Sequence, residues 1–463
     1  MTGIAEDLSA AIAAAVEEGM PRARADLERL VANRSVANPQ IEPAEECAAA
    51  ASLVAGLFGD VGVIGVESLP APDGSVAIVG RTPGPEGAPS VLLYSHYDVV
   101  PAGDLDAWDS PPWQLTERDG RWFGRGAADC KGNLVATLLA LQALQEVCGG
   151  WPVEIAVVCE GSEEQSSGGT EALLRGRPDL VGCDALVLAD TGNVELGQPT
   201  LTTSLRGTGS VLVTVSTMDR PAHSGMYGGA APDALQALLM ALATLRDETG
   251  ETTVDGLPHD GRWAGAAYDA ARFAEEAGLL EGVAPLTGRG GSDADLVWAR
   301  PAATVLAVDC QPVSQVTAAV HGTATAVVNL RTPPGVDAEE AQRLLIEHLR
   351  SHTPFGAHVE IRPVSLGQPF RARTDGPAYA AMGRAMASAF GREMTTTGQG
   401  GSIPLATALA ELLPDAEILL LGVEEPASRI HAPNESVHPD ELRRTAVALA
   451  LFLADLGGLL EGD

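Results

Sequence analysis

Residue types that bind metal ions recur directly after the short apolar runs of this sequence. They are His96, Asp98, Glu160, Glu163, Glu164, Asp190 and, after a longer loop, His431. Asp129 holds a comparable position, at the glycine-flanked start of a predicted helix. In open parallel sheets, ligands bind beyond the carboxyl ends of the strands, so side chains that follow different strands converge there. Each residue alone reads as a loop residue or a helix cap, but together they predict one polar site.

This mixture of imidazole and carboxylate groups indicates a site for divalent cations such as zinc. Two neighbouring ions need a shared carboxylate to offset their repulsion, and Asp129 is placed to provide it. Asp98 follows His96 by two residues, on the same face of the strand, and could accept the second imidazole N–H. Glu163 precedes Glu164 and can act as general base on a metal-bound water. The expected chemistry is metal-dependent hydrolysis.

The apolar runs predict an α/β domain in which a mostly parallel sheet lies between helices. Continuous apolar runs are typical of strands that are buried on both faces. The predicted strands of this kind are 90–94, 153–159, 185–189 and 417–421. A leucine-rich helix is predicted at 133–147, and such strand–helix–strand alternation is typical of layered α/β domains.

The middle of the chain predicts a smaller inserted α+β domain of the ferredoxin-like kind. Its strands alternate apolar and small polar residues, as half-buried strands do. The predicted elements are strands at 211–215, 325–330 and 358–364 and helices at 233–246 and 338–348. A chain of 463 residues is also long for a single core. We therefore expect a catalytic domain in two parts, 1–205 and 368–463, and a smaller domain inserted at 206–367.

The overall composition narrows the class of function. A net charge of −33 opposes the binding of nucleic acid and of anionic lipid. No apolar stretch reaches the ~18–20 residues that a membrane span needs, and residues 1–20 read as an amphipathic helix. The six cysteines are scattered without a CxxC pair, as in a reduced protein. We expect a cytoplasmic enzyme without nucleic-acid or membrane partners.

Lys131 is the single lysine among 29 basic residues, the others being arginines. It lies in the glycine-rich segment GRGAADCKG, which begins at Gly124 and contains Asp129. This position indicates a local need for an ammonium rather than a guanidinium group.

Four segments of the sequence resemble a known enzyme family. They are SHYDVVP from Ser95, GRGAADCKG from Gly124, EGSEE from Glu160 and the pair Ile430-His431. In this order and at these spacings they resemble the dinuclear zinc metallopeptidases, a family of carnosine-type dipeptidases, glutamate carboxypeptidases, aminoacylases and succinyl-diaminopimelate desuccinylases. The resemblance runs from about residue 20 to the C-terminus, and it implies that the insert at 206–367 is a lid and dimerisation domain.

The resemblance implies two divalent ions, zinc or alternatively manganese or cobalt, and assigns their ligands. One ion would take His96, Asp129 and Asp190, and the other would take Asp129, Glu164 and His431. Glu163 would be the general base, and Asp98 would orient His96. The same resemblance implies a cis peptide bond between Asp129 and Cys130.

Several features are similar to the dipeptidase branch of that family. Asp190 in place of a glutamate is one, and the segments LRG from Leu205 and HSGMYGG from His223 are others. By resemblance, His223 would reach the active site of a partner subunit and stabilise the oxyanion. The substrate carboxylate would be held by Arg331, Gly400, Gly401 and Ser402. The segment near Ala318 and His321 departs from the family, which leaves the side-chain specificity open.

Taken together, these features predict a homodimeric metallopeptidase that hydrolyses dipeptides or similar small peptides with a free C-terminal carboxylate. A metal-bound hydroxide would attack the amide, with Glu163 as general base. The alternative within the family is an N-acyl-amino-acid deacylase or desuccinylase. A non-catalytic binding protein of the same fold is a third interpretation, which the intact ligand set disfavours.

Overall fold

The computed structural model describes residues 2–165, 168–401 and 403–460. The chain forms two compact units. The first consists of the chain up to Thr203, Ala372–Thr397 and the chain from Pro404; the second consists of Ser204–Arg371 and Gly398–Ile403. The predicted insert, 206–367, falls within the second unit, which also takes the short segment Gly398–Ile403.

Helices and strands alternate along most of the chain. The helices are α1 (Thr2–Ala32), α2 (Ala44–Asp60), α3 (Lys131–Cys148), α4 (Gly169–Gly176), α5 (Ser224–Tyr227), α6 (Ala234–Ala243), α7 (Ala270–Glu276), α8 (Ala338–His352), α9 (Pro377–Phe390), α10 (Pro404–Leu412) and α11 (Pro439–Leu456). The strands are β1 (Glu67–Pro70), β2 (Val76–Thr82), β3 (Ser90–His96), β4 (Thr116–Arg118), β5 (Arg121–Phe123), β6 (Glu154–Glu160), β7 (Ala185–Ala189), β8 (Thr200–Leu205), β9 (Gly207–Ser216), β10 (Ala222–His223), β11 (Ala302–Asp309), β12 (Ala319–Val320), β13 (Thr323–Thr332), β14 (His358–Gly367), β15 (Phe370–Arg371), β16 (Thr395–Gln399), β17 (Glu417–Leu421) and β18 (Ser436–Val437).

The first unit is built on a mixed sheet with the strand order β1-β2-β6-β3-β7-β17-β8. The four central strands, β6, β3, β7 and β17, are parallel and almost wholly buried, as their continuous apolar runs predict. The flanking strands are antiparallel to their neighbours. The predicted α/β sheet is thus confirmed, with a parallel centre and antiparallel strands on both sides, where β2 pairs with β6 and β8 pairs with β17.

Helices α1, α3, α9 and α11 supply the large apolar core of this unit. In α3 almost every residue of the first four turns is buried, and the helix ends at Gly149, which takes the left-handed conformation with φ 70°. Since α3 follows the glycine-rich segment directly, its burial fixes that segment beneath the carboxyl ends of the central strands.

The second unit has the ferredoxin-like order of elements, β9-α6-β11-β13-α8-β14. Its antiparallel sheet has the order β11-β13-β9-β14, and the apolar faces of α6 and α8 pack on one side of it. Asp233 and Asp337 cap these two helices by accepting backbone N–H groups of their first turns. Strand β11 is absent from the predicted elements; it lies at the sheet edge and is largely exposed.

No helix in the described part of the chain combines the length and the apolar character that crossing a bilayer requires.

Candidate metal centre

The carboxyl ends of the parallel strands bring three of the predicted ligands together. His96 is the last residue of β3, and Asp190 follows β7 directly. The Nε2 atom of His96 lies 3.1 Å from Oδ1 of Asp129 and 3.0 Å from Oδ1 of Asp190. All three side chains are at least nine-tenths buried. One imidazole nitrogen therefore faces two carboxylates in a space closed to bulk solvent.

A second group of ligands shares Asp129 with the first. The Nε2 atom of His431 lies 3.0 Å from Oδ2 of Asp129 and 3.0 Å from Oε2 of Glu164. The His431 side chain is 53% exposed, whereas that of His96 is 1% exposed, so substrate can approach from the His431 side. His431 also has a left-handed backbone, with φ 62°, which is uncommon outside glycine and typical of functional sites.

The donor set fits two divalent cations. Asp129 offers one carboxylate oxygen to each imidazole group, which is the arrangement that a bridging ligand requires. The Oε1 atom of Glu164 is buried and accepts no hydrogen bond from the described residues, a costly state that a bound cation would relieve. Oxygen atoms of Asp129, Asp190 and Glu424 lie within 4.8 Å of one another, so the centre carries an excess of negative charge. Imidazole nitrogen and carboxylate oxygen are ligands that zinc and similar ions accept.

Several groups of this centre have perturbed pKa values. Burial raises the pKa of Asp190 to about 6, assisted by the neighbouring carboxylates. Burial and then the Asp190 carboxylate raise the pKa of Glu163 to about 9. Hydrogen bonds to Asp129 and then to Glu164 raise the pKa of His431 to about 10. Clustered shifts of this size are typical of functional sites.

Asp98 organises the residues on both sides of the centre. Its Oδ1 accepts the backbone N–H of Glu163 at 3.0 Å, and its Oδ2 accepts that of Glu164 at 3.1 Å. The Nδ1 atom of His96 lies 3.1 Å from the backbone oxygen of Asp98 and 3.4 Å from its carboxylate. Nδ1–H therefore points away from the other acids, which leaves the Nε2 lone pair free for a metal ion.

Glu435 holds the segment that carries Asp129, a role that the sequence analysis missed. Its Oε2 accepts hydrogen bonds from Nη1 of Arg125 at 2.7 Å and from the N–H of Gly126 at 2.9 Å. Its Oε1 accepts the N–H groups of Ala128 and Asp129, both at 3.1 Å. The available signal was a lone glutamate four residues after His431, which has no periodicity and reads as a surface residue.

Glu424 is a second acid that the sequence analysis missed. It is buried beside Asp129 and Asp190, and its Oε1 accepts a hydrogen bond from Nδ2 of Asn133 at 3.1 Å. Burial, and then these two carboxylates, raise the pKa of Glu424 well above its usual range. The backbone of Glu424 passes close to residue 192, which must be glycine, because a Cβ atom there would lie 2.4 Å from the backbone oxygen of Glu424.

The peptide bond between Asp129 and Cys130 is cis, as the resemblance implies. Sγ of Cys130 belongs to one group of possible ligand atoms with His96 and Asp190. However, Cys130 donates its S–H to the backbone oxygen of Ala189 at 2.9 Å, and burial raises its pKa well above the usual range. The S–H group of Cys130 is therefore engaged with the backbone, and we do not assign Cys130 as a ligand.

The remaining predicted site residues belong to the second unit. His223 is exposed, and its Nδ1 accepts the N–H of Gly225 at 3.1 Å. Arg331 lies near the end of β13, is half-buried and forms no ion pair with a described carboxylate. Gly400 and Gly401 lie in the short segment that joins this unit, and Ser402 lies outside the described residues.

The chain is similar to several known dipeptidases. A cysteinylglycine-S-conjugate dipeptidase of Corynebacterium striatum is 43% identical over 390 residues, which are 84% of this chain and 86% of that protein. A Beta-Ala-His dipeptidase of Rattus norvegicus is 26% identical over 432 residues, 86% of this chain and 82% of that protein. The structure of the dipeptidase Dug1p from Saccharomyces cerevisiae shares the fold, with a TM-score of 0.79 at 19% identity over 97% of this chain and 98% of that chain.

A family model agrees with these relatives. The model of peptidase family M20/M25/M40 matches residues 92–455. This range contains His96, Asp129 and His431, whose side chains converge on the centre. The match spans most of the chain together with its candidate metal centre, and the chain therefore belongs to peptidase family M20/M25/M40.

Proposed function

We propose that this chain is a dinuclear metal-dependent dipeptidase. The observation that carries the proposal is the position of Asp129, whose two carboxylate oxygens each face a different imidazole. We assign His96, Asp129 and Asp190 to one ion, and Asp129, Glu164 and His431 to the other. When bound, divalent ions supply Lewis acidity for the scissile carbonyl and for a water molecule. Zinc suits these ligands, and manganese or cobalt could replace it.

Glu163 is proposed as the general base. Asp98 fixes its backbone N–H, so the glutamate is held next to the ligand Glu164 on a defined turn. The raised pKa of Glu163 supports this role, because a general base must hold the proton that it takes from water. Glu163 would take a proton from the attacking water on a carboxylate oxygen and deliver it to the leaving amine nitrogen.

His223 is proposed as the donor that stabilises the oxyanion at the site of a partner subunit. Because its Nδ1 accepts the N–H of Gly225, the neutral imidazole carries its proton on Nε2. The exposed ring thus presents an N–H donor. Such a donor on the developing oxyanion is worth roughly 2.7–4 kcal/mol.

The substrate is proposed to be a dipeptide bound through its C-terminal carboxylate. Arg331 offers a guanidinium group that is half-buried and without a carboxylate partner among the described residues. A carboxylate is the ligand that this geometry favours. Gly400, Gly401 and Ser402 would hold the same end of the substrate. The dipeptidase names of the relatives support a free amino group at the other end.

A homodimer and a cytoplasmic location complete the proposal. Strand β11 ends the sheet of the second unit and exposes Val305, Leu306 and Val308, which are 40%, 61% and 38% exposed. An apolar edge strand of this kind is suited to pairing with a second copy. The six cysteines are all free, which fits a reducing compartment.

The experiment that tests the proposal compares free and blocked dipeptides. Metal-loaded protein should hydrolyse Cys-Gly or β-Ala-His and leave their N-acetylated forms uncut. The Glu163→Gln variant, purified in the same way, serves as the control for contaminating peptidases. Faster hydrolysis of N-acetyl amino acids than of any dipeptide would instead identify the chain as a deacylase.

A further inference from the structure

The second unit contains a cavity of about 410 Å³ that the proposed hydrolysis does not use. Its wall is mainly apolar, and its lining residues include Phe273, Leu279, Val283, Leu286, Val297 and Pro301. Val283 and Leu286 are themselves 55% and 51% exposed, so apolar groups of the wall are open to solvent. A volume in this range with an apolar lining is typical of small-molecule sites.

Two arginines contribute the positive charge of this cavity. Arg206 is 6% exposed and lines the cavity, yet its Nε has no acceptor among the described residues and its Nη2 has only the backbone oxygen of Arg300, at 3.3 Å. Arg246 also lines the cavity and donates only to the backbone oxygens of Ala303 and Gly250. Neither guanidinium forms an ion pair with a carboxylate in the described part of the chain.

The acids of the cavity do not neutralise this charge. Glu251 is buried in the wall and partly offsets the charge of Arg246, but its Oε2 is paired with Arg300 at 2.5 Å. Its Oε1 has no hydrogen-bond partner among the described residues. Asp293 is half-buried in the wall and forms no ion pair with either arginine in the described part of the chain. Burial, then the charge of Arg331 and of Arg246, lower the pKa of Arg206 to about 10. A buried cation surrounded by like charges is costly unless an anion is supplied.

We propose that this cavity binds a monocarboxylate with an apolar tail, such as a medium-chain fatty acid. The carboxylate would pair with Arg206 and Arg246, and the tail would lie against the apolar wall. Arg206 lies in the segment LRG, for which we propose no role at the metal centre. This ligand would be distinct from the dipeptide, whose carboxylate is assigned to Arg331: that residue acts on the charge of Arg206 but does not line the cavity.

The test measures binding of octanoate to the full-length, metal-loaded protein by calorimetry, with octanamide as the uncharged analogue. Octanoate should bind at least about tenfold more tightly than octanamide, because a charge-assisted hydrogen bond is worth about 1.5–3 kcal/mol. Arg206→Met should weaken octanoate binding at least about tenfold, whereas Arg350→Met, an exposed control on α8, should leave it unchanged.

A second variant keeps the test decisive if Arg206→Met does not fold. Ala284 is exposed and lines the cavity, so Ala284→Trp can fill it without disturbing a packed core. This variant should also lose octanoate binding by at least about tenfold. Octanoate that binds equally to the wild type and Ala284→Trp, or not at all to the wild type, would overturn the proposal. Neither result bears on dipeptide hydrolysis, which is measured separately.

Discussion

Replacing Glu435 by glutamine should weaken the fold and the metal centre together, because this one carboxylate orders the segment that carries Asp129. The substitution keeps the size of the side chain and replaces one carboxylate oxygen by an NH2 group, which donates hydrogen bonds and cannot accept them. If Oε1 is replaced, the N–H groups of Ala128 and Asp129 lose their acceptor. If Oε2 is replaced, Arg125 and the N–H of Gly126 lose theirs.

The expected loss of stability follows from these two orientations of the glutamine side chain. Each buried N–H without an acceptor costs about 1–3 kcal/mol, so the first case costs about 2–6 kcal/mol. In the second case a buried Arg125 without its partner costs about 3–5 kcal/mol, and the N–H of Gly126 adds about 1–3 kcal/mol. Because the glutamine side chain takes the less costly orientation, we expect the free energy of unfolding to fall by about 2–6 kcal/mol. Since Asp129 loses support for its own backbone, metal affinity should fall about 10–100-fold.

Two assays separate these effects. Guanidinium unfolding of the metal-free protein measures stability, and competition with a chromophoric chelator measures metal affinity. The matched control is Glu393→Gln, an exposed glutamate that should change neither quantity. If Glu435→Gln binds metal and unfolds as the wild type does, the four hydrogen bonds do not position Asp129 and the reasoning fails.

Three further predictions concern the proposed general base Glu163, the single lysine Lys131 and the proposed dimer. Glu163→Gln should keep two ions per chain and lower turnover about 10²–10⁴-fold. Elemental analysis measures the bound metal, and a loss of metal would show that the roles of Glu163 and Glu164 are exchanged. Lys131 is fully buried and donates from Nζ to the backbone oxygens of Leu30 and Asn33, both at 2.9 Å. Lys131→Arg should therefore overpack this space and destabilise the protein by about 1–3 kcal/mol in denaturant titration, and an unaltered midpoint would contradict the need for an ammonium group. Mixing the inactive variants Glu163→Gln and His223→Ala under subunit exchange should restore activity to about half of the sites in mixed dimers, because one site receives both changes and the other receives neither. Removal of the His223 donor should cost roughly 2.7–4 kcal/mol of transition-state stabilisation. Mixed dimers without activity would place His223 in the active site of its own subunit.

Much of the centre was predictable because its residues follow buried strands. The continuous apolar runs mark β3, β7 and β17, and the rule that parallel strands present their carboxyl ends at one edge brings His96 and Asp190 together. The cis peptide at Asp129, in contrast, came from the resemblance alone.

The residues that support the centre could not be predicted in this way. Glu435 and Glu424 act through contacts with Gly126 and Asn133, which are about 300 residues away along the chain. No local period or spacing encodes such contacts, so each glutamate resembles a surface residue until the fold is known. Lys131 is an intermediate case: its isolation in the composition indicated a special role, but only the structure shows the helix-end carbonyls that it caps.

The second unit shows why one strand was missed. The residues of β11 form an apolar run, yet most of them are exposed at the edge of the sheet. Alternation between polar and apolar residues predicts half-buried strands such as β9 and β13. The exposed edge strand β11 lacks this alternation, so its place in the sheet does not follow from the pattern.

The central claim, that two metal ions shared by Asp129 drive hydrolysis of a dipeptide, is tested most directly by removing and restoring metal. Protein dialysed against a chelator until no metal is detected should not hydrolyse Cys-Gly. Stepwise addition of zinc, manganese or cobalt should restore hydrolysis and reach its maximum near two ions per chain. Full hydrolysis by the metal-free protein, or a maximum at one ion, would contradict the account.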